Sequence, residues 1–373
     1  MNVNSWEIQP DANLQGAHFD QRDLQGANLQ GANLQGANLR GADLQGVNFA
    51  HARLRNADLT GAQLGRRNFP RNLPQEKLIV ANLSDVDLEN ACLEHTHLRE
   101  ATMTRAYLRV ARMMDVDLSD ANLENAVLVD IDGLRANLSN ANLRGANLRE
   151  ANLREANLQG ANLQGANLQG ANLQGANLQG ANLQGANLQG ANLSNSELAN
   201  SNLHSAKMCR VNLSMLDLTS AKIEYESHSY GSKYVDWYRG YLERHHIESP
   251  PSLQFANLNN ANLSGLNLRG INLLGASLQG ANLKGTELIS ATLEEAVLRN
   301  ADLTRANLSR TNLRFANLVN TVLFNANLVD ADARNADFTD SDCRYTNFSG
   351  ANLDETEFEG AELNKAIFGD AEN

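Results

Sequence analysis

The chain has few aromatic residues and no long hydrophobic run. Phe, Trp and Tyr make up 5% of its 373 residues, and the mean hydropathy is negative at −0.42. A membrane-spanning helix needs about 18 consecutive apolar residues, so we expect no membrane span. The opening residues, Met1-Asn2-Val3-Asn4-Ser5-Trp6, have neither a basic region nor an apolar core and therefore do not predict a secretory signal.

Cysteine is also scarce. The three cysteines, Cys92, Cys209 and Cys343, are odd in number and far apart in the chain. This distribution is typical of reduced thiols and not of a disulfide framework. Because thiols stay reduced in the cytoplasm, the sequence favours a cytoplasmic location.

Positive charge is the minority charge. The chain has 31 Lys and Arg against 43 Asp and Glu, a net charge of −12 at pH 7. Direct binding to nucleic acid requires a basic surface, so this balance disfavours it and permits a basic partner. The acidity is concentrated after residue 316, where twelve acidic residues accompany only three basic ones.

The sequence is dominated by a repeat of five residues. Residues 156–190 read Ala-Asn-Leu-Gln-Gly seven times, and most of the chain is a less regular copy of this run. A period of five matches neither a helix nor an alternating strand. It fits one short extended piece followed by a turn, because Ala and Leu then share one side and Gly tolerates positive φ at the bend. Such pieces would stack as parallel β-ladders, with Ala and Leu inside and Asn and Gln outside.

The consensus is Ala, Ser, Thr or Val, then Asn or Asp, then Leu or Phe, then two variable positions of which the second is often Gly. This pattern resembles the pentapeptide repeat family. The resemblance implies an all-β fold, a right-handed quadrilateral parallel β-helix with four pentapeptides per coil. We label the central Leu or Phe position i. The resemblance then implies that i and i−2 point inward, and that residues twenty apart stack in one column.

Breaks in the repeat divide the chain into segments. Pro70 and Pro74 cannot donate ladder hydrogen bonds, and Phe69 and Leu78 are nine residues apart where two pentapeptides would need ten. We therefore predict a phase break with an ejected loop or a bulge. The predicted segments are an N-terminal cap over 1–11 plugged by Trp6 and Ile8, β-helix tracts over 12–69, 81–223 and 253–373, a loop over 70–80, and an aromatic insert over 224–252.

The insert contains five of the seven tyrosines and one of the two tryptophans. Four of its aromatic residues recur at the spacing of one helix face: Tyr234, Trp237, Tyr238 and Tyr241. Pro250 and Pro251 would end such a helix. We predict a short amphipathic helix whose aromatic face either packs on the solenoid or docks a partner, since Tyr and Trp dominate binding hot spots.

A second candidate surface lies in the tract that begins at residue 81. Spacing by twenty would stack Tyr107 on Val127, and Met114 on Leu134. Val110 and Val129 would lie between these two columns. The sequence thus predicts an exposed apolar patch, which commonly marks an interface. The alternatives are that the loop at 70–77 or a partner copy covers it.

No arrangement of residues predicts catalysis or a cofactor. Cys92, Glu94, His95 and His97 look like metal ligands, yet no second Cys/His pair stands at zinc spacing, so we predict no metal site. The chain has no Gly-rich phosphate loop. It also has no Ser/His/Asp or paired-carboxylate arrangement beyond what the repeat itself explains.

These features predict a non-enzymatic, rod-like scaffold or protein-interaction module. Its partner protein and its oligomeric state stay open. The family resemblance implies an alternative, because some pentapeptide repeat proteins bind DNA gyrase or topoisomerase IV of bacteria and protect it from quinolones by imitating the charge and width of DNA. The acidic balance agrees with that alternative. A continuous acidic stripe on one face would favour mimicry, whereas scattered charge would favour a scaffold.

Overall fold

A computed structural model describes residues 2–3, 6–64, 81–221 and 252–371. The chain divides into two compact units, unit 1 (Met1–Glu197) and unit 2 (Leu198–Asn373). Strands β1 (Asn2–Val3) and β2 (Trp6–Glu7) pair antiparallel, and the other pairing in the described residues is through single-residue bridges. None of the described residues belongs to a helix of the length and hydrophobicity that crossing a bilayer requires.

Within each unit the chain forms coils of four pentapeptides. Position i−1 bridges its counterpart twenty residues later in parallel, as Asn137 does with Asn157. Two backbone hydrogen bonds flank this bridge, from Leu138 N to Asn157 O at 2.7 Å and from Asn157 N to Ala136 O at 2.9 Å. Four such bridges per coil give a quadrilateral parallel β-helix, in which each face is only three residues wide.

Each corner is a turn closed by one hydrogen bond. Ala161 N donates to Leu158 O at 3.0 Å, and the third residue of that turn, Gly160, has a φ of +67°. A positive φ at this place is what a type II turn requires. Gly adopts it without a Cβ penalty, and Asn tolerates it best among the other residues, which explains the preference at position i+2.

The Asn or Asp at position i−1 supports the corner as well as the ladder. Asn157 Oδ1 accepts a hydrogen bond from the backbone N of Gln159 at 3.2 Å, and Asn157 Nδ2 donates to Asn137 Oδ1 at 3.2 Å. The first contact is the local bond by which Asx residues stabilise turns. A position that faces outward in the repeat pattern is therefore structural.

The interior is built from positions i and i−2, as predicted. Over 156–193 every Ala and Leu is at most 1% exposed. Thr at i−2 satisfies its buried hydroxyl internally, as Thr346 Oγ1 donates to Leu323 O at 2.8 Å. Gly133 stands where a central Leu is expected, and the side chains of Leu153 and Ile131 occupy the space beside it.

The ladder spacing changes across both internal gaps in the described chain. Asn48 bridges Asn82, a spacing of 34 residues in place of 20, so the repeat phase shifts across 65–80. Asn212 bridges Asn257, a spacing of 45, so the phase is kept across 222–251. Phe69, the loop at 70–80 and the helical insert lie outside the described residues, and the segment boundaries stay predictions.

The predicted cap is described only in part. Val3 pairs with Trp6 in the antiparallel ladder, and Ile8 is 6% exposed. The side chain of Trp6 lies outside the described residues. The capping role of 1–11 therefore stays a prediction.

Candidate interaction surfaces

The structure stacks the residues within each of the predicted apolar columns of unit 1. Tyr107 and Val127 are bridged partners. Met114 and Leu134 occupy the same corner position in successive coils, since the backbone N of Asp115 donates to Leu134 O at 3.0 Å. All four side chains are partly buried, so none of them projects far from the coil.

Val110 is the most exposed apolar residue of this patch. It is 44% exposed, and its φ is +59°. A β-branched residue is rarely found in this left-handed region, and such backbone strain costs about 1–3 kcal/mol and often lies at functional sites. Val110 is the one Val, Ile or Thr with positive φ in the described part of the chain. Its backbone N donates to Val129 O at 3.0 Å, and Val129 is 9% exposed.

The residues of the Cys92–His97 run do not converge on one point. Each of its four polar side chains faces a different partner. The nearest polar atoms are 3.0 Å apart for Cys92 and Thr60, 2.6 Å for Glu94 and Arg112, 3.8 Å for His95 and Asp115, and 3.1 Å for His97 and Gln63. In the parts of the chain that the structure describes, no group of three or more His, Cys, Asp or Glu could hold a metal ion.

The predicted aromatic helix face lies outside the described residues. Its members are Tyr234, Trp237, Tyr238 and Tyr241. Their role in docking stays a prediction.

Unit 2 carries an exposed group that the sequence analysis missed. We call it the aromatic corner and define it as Phe324, Arg344, Tyr345 and Lys365. The Phe324 and Tyr345 rings meet edge to face with centroids 5.3 Å apart. Arg344 lies 5.6 Å over the Phe324 ring, and Lys365 Nζ lies 4.9 Å over the Tyr345 ring. Tyr345 is 43% exposed.

The repeat arithmetic could have found this corner. Phe324 and Arg344 are both at i+1, and Tyr345 and Lys365 are both at i+2, each pair twenty residues apart. The same spacing stacks Tyr107 on Val127. Lys365 Nζ also donates a hydrogen bond to the Tyr345 hydroxyl at 3.0 Å. This bond links the two residues of the column in successive coils.

One acidic pair beside the aromatic corner is neutralised by the protein itself. Asp342 and Glu362 are bridged partners, and Arg344 contacts both carboxylates, at 2.7 and 3.2 Å. The hydrogen bonds from Arg344 hold the pKa of Asp342 below its usual value. This face therefore carries its own counterion.

The preceding face of the same coils is different. We call it the acidic face and define it as Asp337, Asp340, Glu357 and Glu359. Asp337 and Glu357 are bridged partners, and like charges directly opposite on a ladder destabilise it. Arg344 forms its ion pairs with carboxylates of the neighbouring face. In the described part of the chain, none of the ion pairs within 4.0 Å involves the four carboxylates of the acidic face.

The thiol nearest to these surfaces is inert. Burial raises the pKa of Cys343 to about 12, and its Sγ lies 3.1 Å from Ser341 Oγ inside the coil. A thiol that stays protonated is neither a nucleophile nor a metal ligand.

The repeat geometry agrees with the comparison to known families. The family model described as "Pentapeptide repeats (8 copies)" matches in overlapping stretches that together span 11–61, 81–223 and 256–372. The chain therefore belongs to the pentapeptide repeat family. A search of curated proteins finds no match.

Solved structures of similar proteins span several biological roles. QnrB1, a plasmid-mediated fluoroquinolone resistance protein, is 17% identical over 62% of this chain and 100% of its own, with a TM-score of 0.42. Rfr23 from the cyanobacterium Cyanothece 51142 is 27% identical over 35% and 96%, with a TM-score of 0.29. HetL from Nostoc sp. strain PCC 7120, which is involved in heterocyst differentiation regulation, is 26% identical over 87% and 90%, with a TM-score of 0.19. These low TM-scores carry no functional argument.

Proposed function

We propose that the protein is a non-enzymatic scaffold that binds another protein through the aromatic corner of unit 2. The observation that carries this proposal is the pairing of the partly buried Phe324 ring with the exposed Tyr345 ring, with Arg344 and Lys365 over the two rings. Tyr and Arg are among the residues most enriched in binding hot spots. A corner of this kind presents them at the surface of unit 2.

The backbone beneath the corner is held in place before any partner arrives. Asn325 N donates to Arg344 O at 3.0 Å, and Tyr345 N donates to Asn364 O at 3.2 Å. Because these bonds order the backbone in advance, binding loses little conformational entropy. A rigid presentation of aromatic side chains suits a scaffold.

Site-specific photo-crosslinking tests this proposal. A photoreactive phenylalanine derivative replaces Tyr345 in one variant and Gln169, in the regular run, in a control variant. We expect a discrete crosslinked partner in cells at position 345 and none at position 169. Equal products at both positions, or no product at 345, would contradict the proposal.

The apolar columns of unit 1 form a second proposed surface. Their support is the stacking of Tyr107 on Val127 and of Met114 on Leu134, together with the strained Val110 beside them. The crosslinker at Met114 applies the same test there. For the aromatic insert, deletion of 224–252 tests whether a captured partner depends on it.

A second candidate function is modulation of DNA gyrase or topoisomerase IV by imitation of duplex DNA. The acidic face supports it, because none of the cations among the described residues pairs with its four carboxylates. The test is plasmid supercoiling by purified gyrase, with and without a quinolone, as this protein is added. An effect that the D337N/E357Q variant loses would support mimicry, and an unchanged reaction at excess protein would rule it out.

A further inference from the structure

The acidic face of unit 2 has an unexplained electrostatic cost. Asp337 and Glu357 are bridged neighbours, so their carboxylates stack with like charges adjacent, which destabilises the ladder. On the next face the equivalent pair, Asp342 and Glu362, shares Arg344. Within the residues that the structure describes, the two faces differ in that only the second has a cation at ion-pair distance.

A metal ion is a poor candidate for that cation. The described residues contain no group of three or more His, Cys, Asp or Glu with the geometry to hold one. Carboxylates on successive coils, all exposed except the partly buried Asp337, suit positively charged side chains instead, each of which can pair with one carboxylate at a time. The charge pattern therefore fits a basic polypeptide.

The aromatic corner lies within reach of the same polypeptide. Along the chain, the acidic face ends at the turn that contains Asp340. One face of three residues follows, and the turn after that face contains Tyr345. Three extended residues span about 10 Å. A short extended segment can therefore contact the acidic face and the aromatic corner together.

Arginine fits both parts of this surface better than lysine. Its planar guanidinium pairs with a carboxylate through two parallel hydrogen bonds and also stacks on aromatic rings. The corner already shows the second contact, with Arg344 5.6 Å over the Phe324 ring. Nucleic acid is disfavoured here because the surface is acidic.

We propose that the acidic face and the aromatic corner together form a docking surface for an arginine-rich segment of a partner protein. This inference rests on the proposed function and adds the chemistry of the partner. It requires both halves of the surface: the carboxylates Asp337 and Glu357 for charge, and the rings of Phe324 and Tyr345 for stacking.

The test is fluorescence anisotropy of the full chain with a labelled peptide of about ten residues that alternates arginine and glycine, long enough to span the surface when extended. Matched peptides carry lysine or glutamate in place of arginine. We expect the arginine peptide to bind more tightly than the lysine peptide, and the glutamate peptide not to bind.

Two variants each remove one half of the docking surface, and a third variant is the control. D337N/E357Q removes charge from the acidic face, and F324A/Y345A removes the rings. E287Q/D330N removes two charges from the opposite face of unit 2. We expect the first two to weaken binding about fivefold or more, the loss typical of two exposed ion pairs or a truncated hot spot, and the control to change it less than about twofold.

Three outcomes would overturn the inference. They are no binding by the unaltered chain, an equal loss in the control variant (which would indicate attraction to net charge alone), and no loss in F324A/Y345A. Thermal melting followed by circular dichroism confirms that each variant folds, and the single variants D337N and Y345A replace any double variant that does not. Crosslinking at position 345 without binding of the arginine peptide would refute the partner chemistry alone, whereas absence of crosslinking there would refute the proposed function.

Discussion

The regular run at 156–190 in unit 1 and the final coils at 313–371 in unit 2 share one backbone but present different surfaces. In the run every corner is Gln-Gly, and no charged residue occurs. In the final coils the same corner positions carry Phe315, Phe324, Arg344, Tyr345 and Lys365. The comparison teaches that positions i−2, i−1 and i build the coil, while i+1 and i+2 are free to vary as long as i+2 accepts positive φ.

The interiors differ as well. In the regular run, the central residues that stack on one another are all Leu. In unit 2, two neighbouring columns of central residues stack Phe on Phe instead. The rings of Phe348 and Phe368 are 5.3 Å apart and nearly parallel, and those of Phe338 and Phe358 are 5.1 Å apart. Larger side chains in the same cross-section make the final coils more sensitive to truncation.

The largest expected effect breaks this aromatic interior. Phe348 is 0% exposed and meets three other rings, so Phe348→Ala should lose about 3–5 kcal/mol of local stability. Native-state hydrogen exchange of the flanking amides measures it, because a solenoid can unfold in parts. Phe348→Leu, which restores the usual residue of the repeat, is the control and should cost less. A Phe348→Leu variant as stable as the unaltered protein would show that the aromatic stack adds nothing.

The next effect concerns the Asn ladder of the regular run. Asn167 Oδ1 accepts hydrogen bonds from Gln169 N at 3.2 Å and from Asn187 Nδ2 at 3.3 Å. Asn167→Ala should therefore destabilise the coil by about 1–2 kcal/mol, measured by urea unfolding. Gln169→Ala, an exposed neighbour, should change stability by less than about 0.5 kcal/mol. If both variants behave alike, the turn bond is not stabilising.

A reciprocal pair of variants tests the strain at Val110. Asn tolerates the left-handed region better than any β-branched residue, so Val110→Asn should stabilise unit 1 by about 1 kcal/mol. Asn125 has nearly the same backbone, with φ at +57°, so Asn125→Val should destabilise by a similar amount. Melting temperatures of the two variants should move in opposite directions, and a shift in the same direction would refute the role of strain.

The smallest effect is the pH dependence of the neutralised face. Because Arg344 lowers the pKa of Asp342, ionised Asp342 adds stability above its unfolded pKa of about 3.9. That contribution is lost as the pH falls through the lower, folded value. Arg344→Gln should therefore reduce the melting temperature most at neutral pH, and the difference from the unaltered protein should shrink in acid. Arg299→Gln, in the same unit, is the control and should show no such pH trend.

Much of the fold could be predicted from the repeat because each coil depends on local geometry. The inward direction of i and i−2 followed from a three-residue extended piece, and the positive φ at i+2 followed from the frequency of Gly. The role of Asn at i−1 was missed, because its bond to the turn is invisible in a pattern that records only inward and outward positions. The aromatic corner was missed although Phe324 and Tyr345 stand at recognisable column positions.

The sequence by itself determined the coil: its period, its interior residues, and the spacing by twenty that stacks one residue on another. Only the tertiary structure decided which charges are neutralised. Arg344 reaches the carboxylates of both Asp342 and Glu362, whereas Asp337 and Glu357 have the same spacing and no such partner among the residues that the structure describes. The physical reason is that a long flexible cation selects among several carboxylates by side-chain geometry, which the repeat period does not encode.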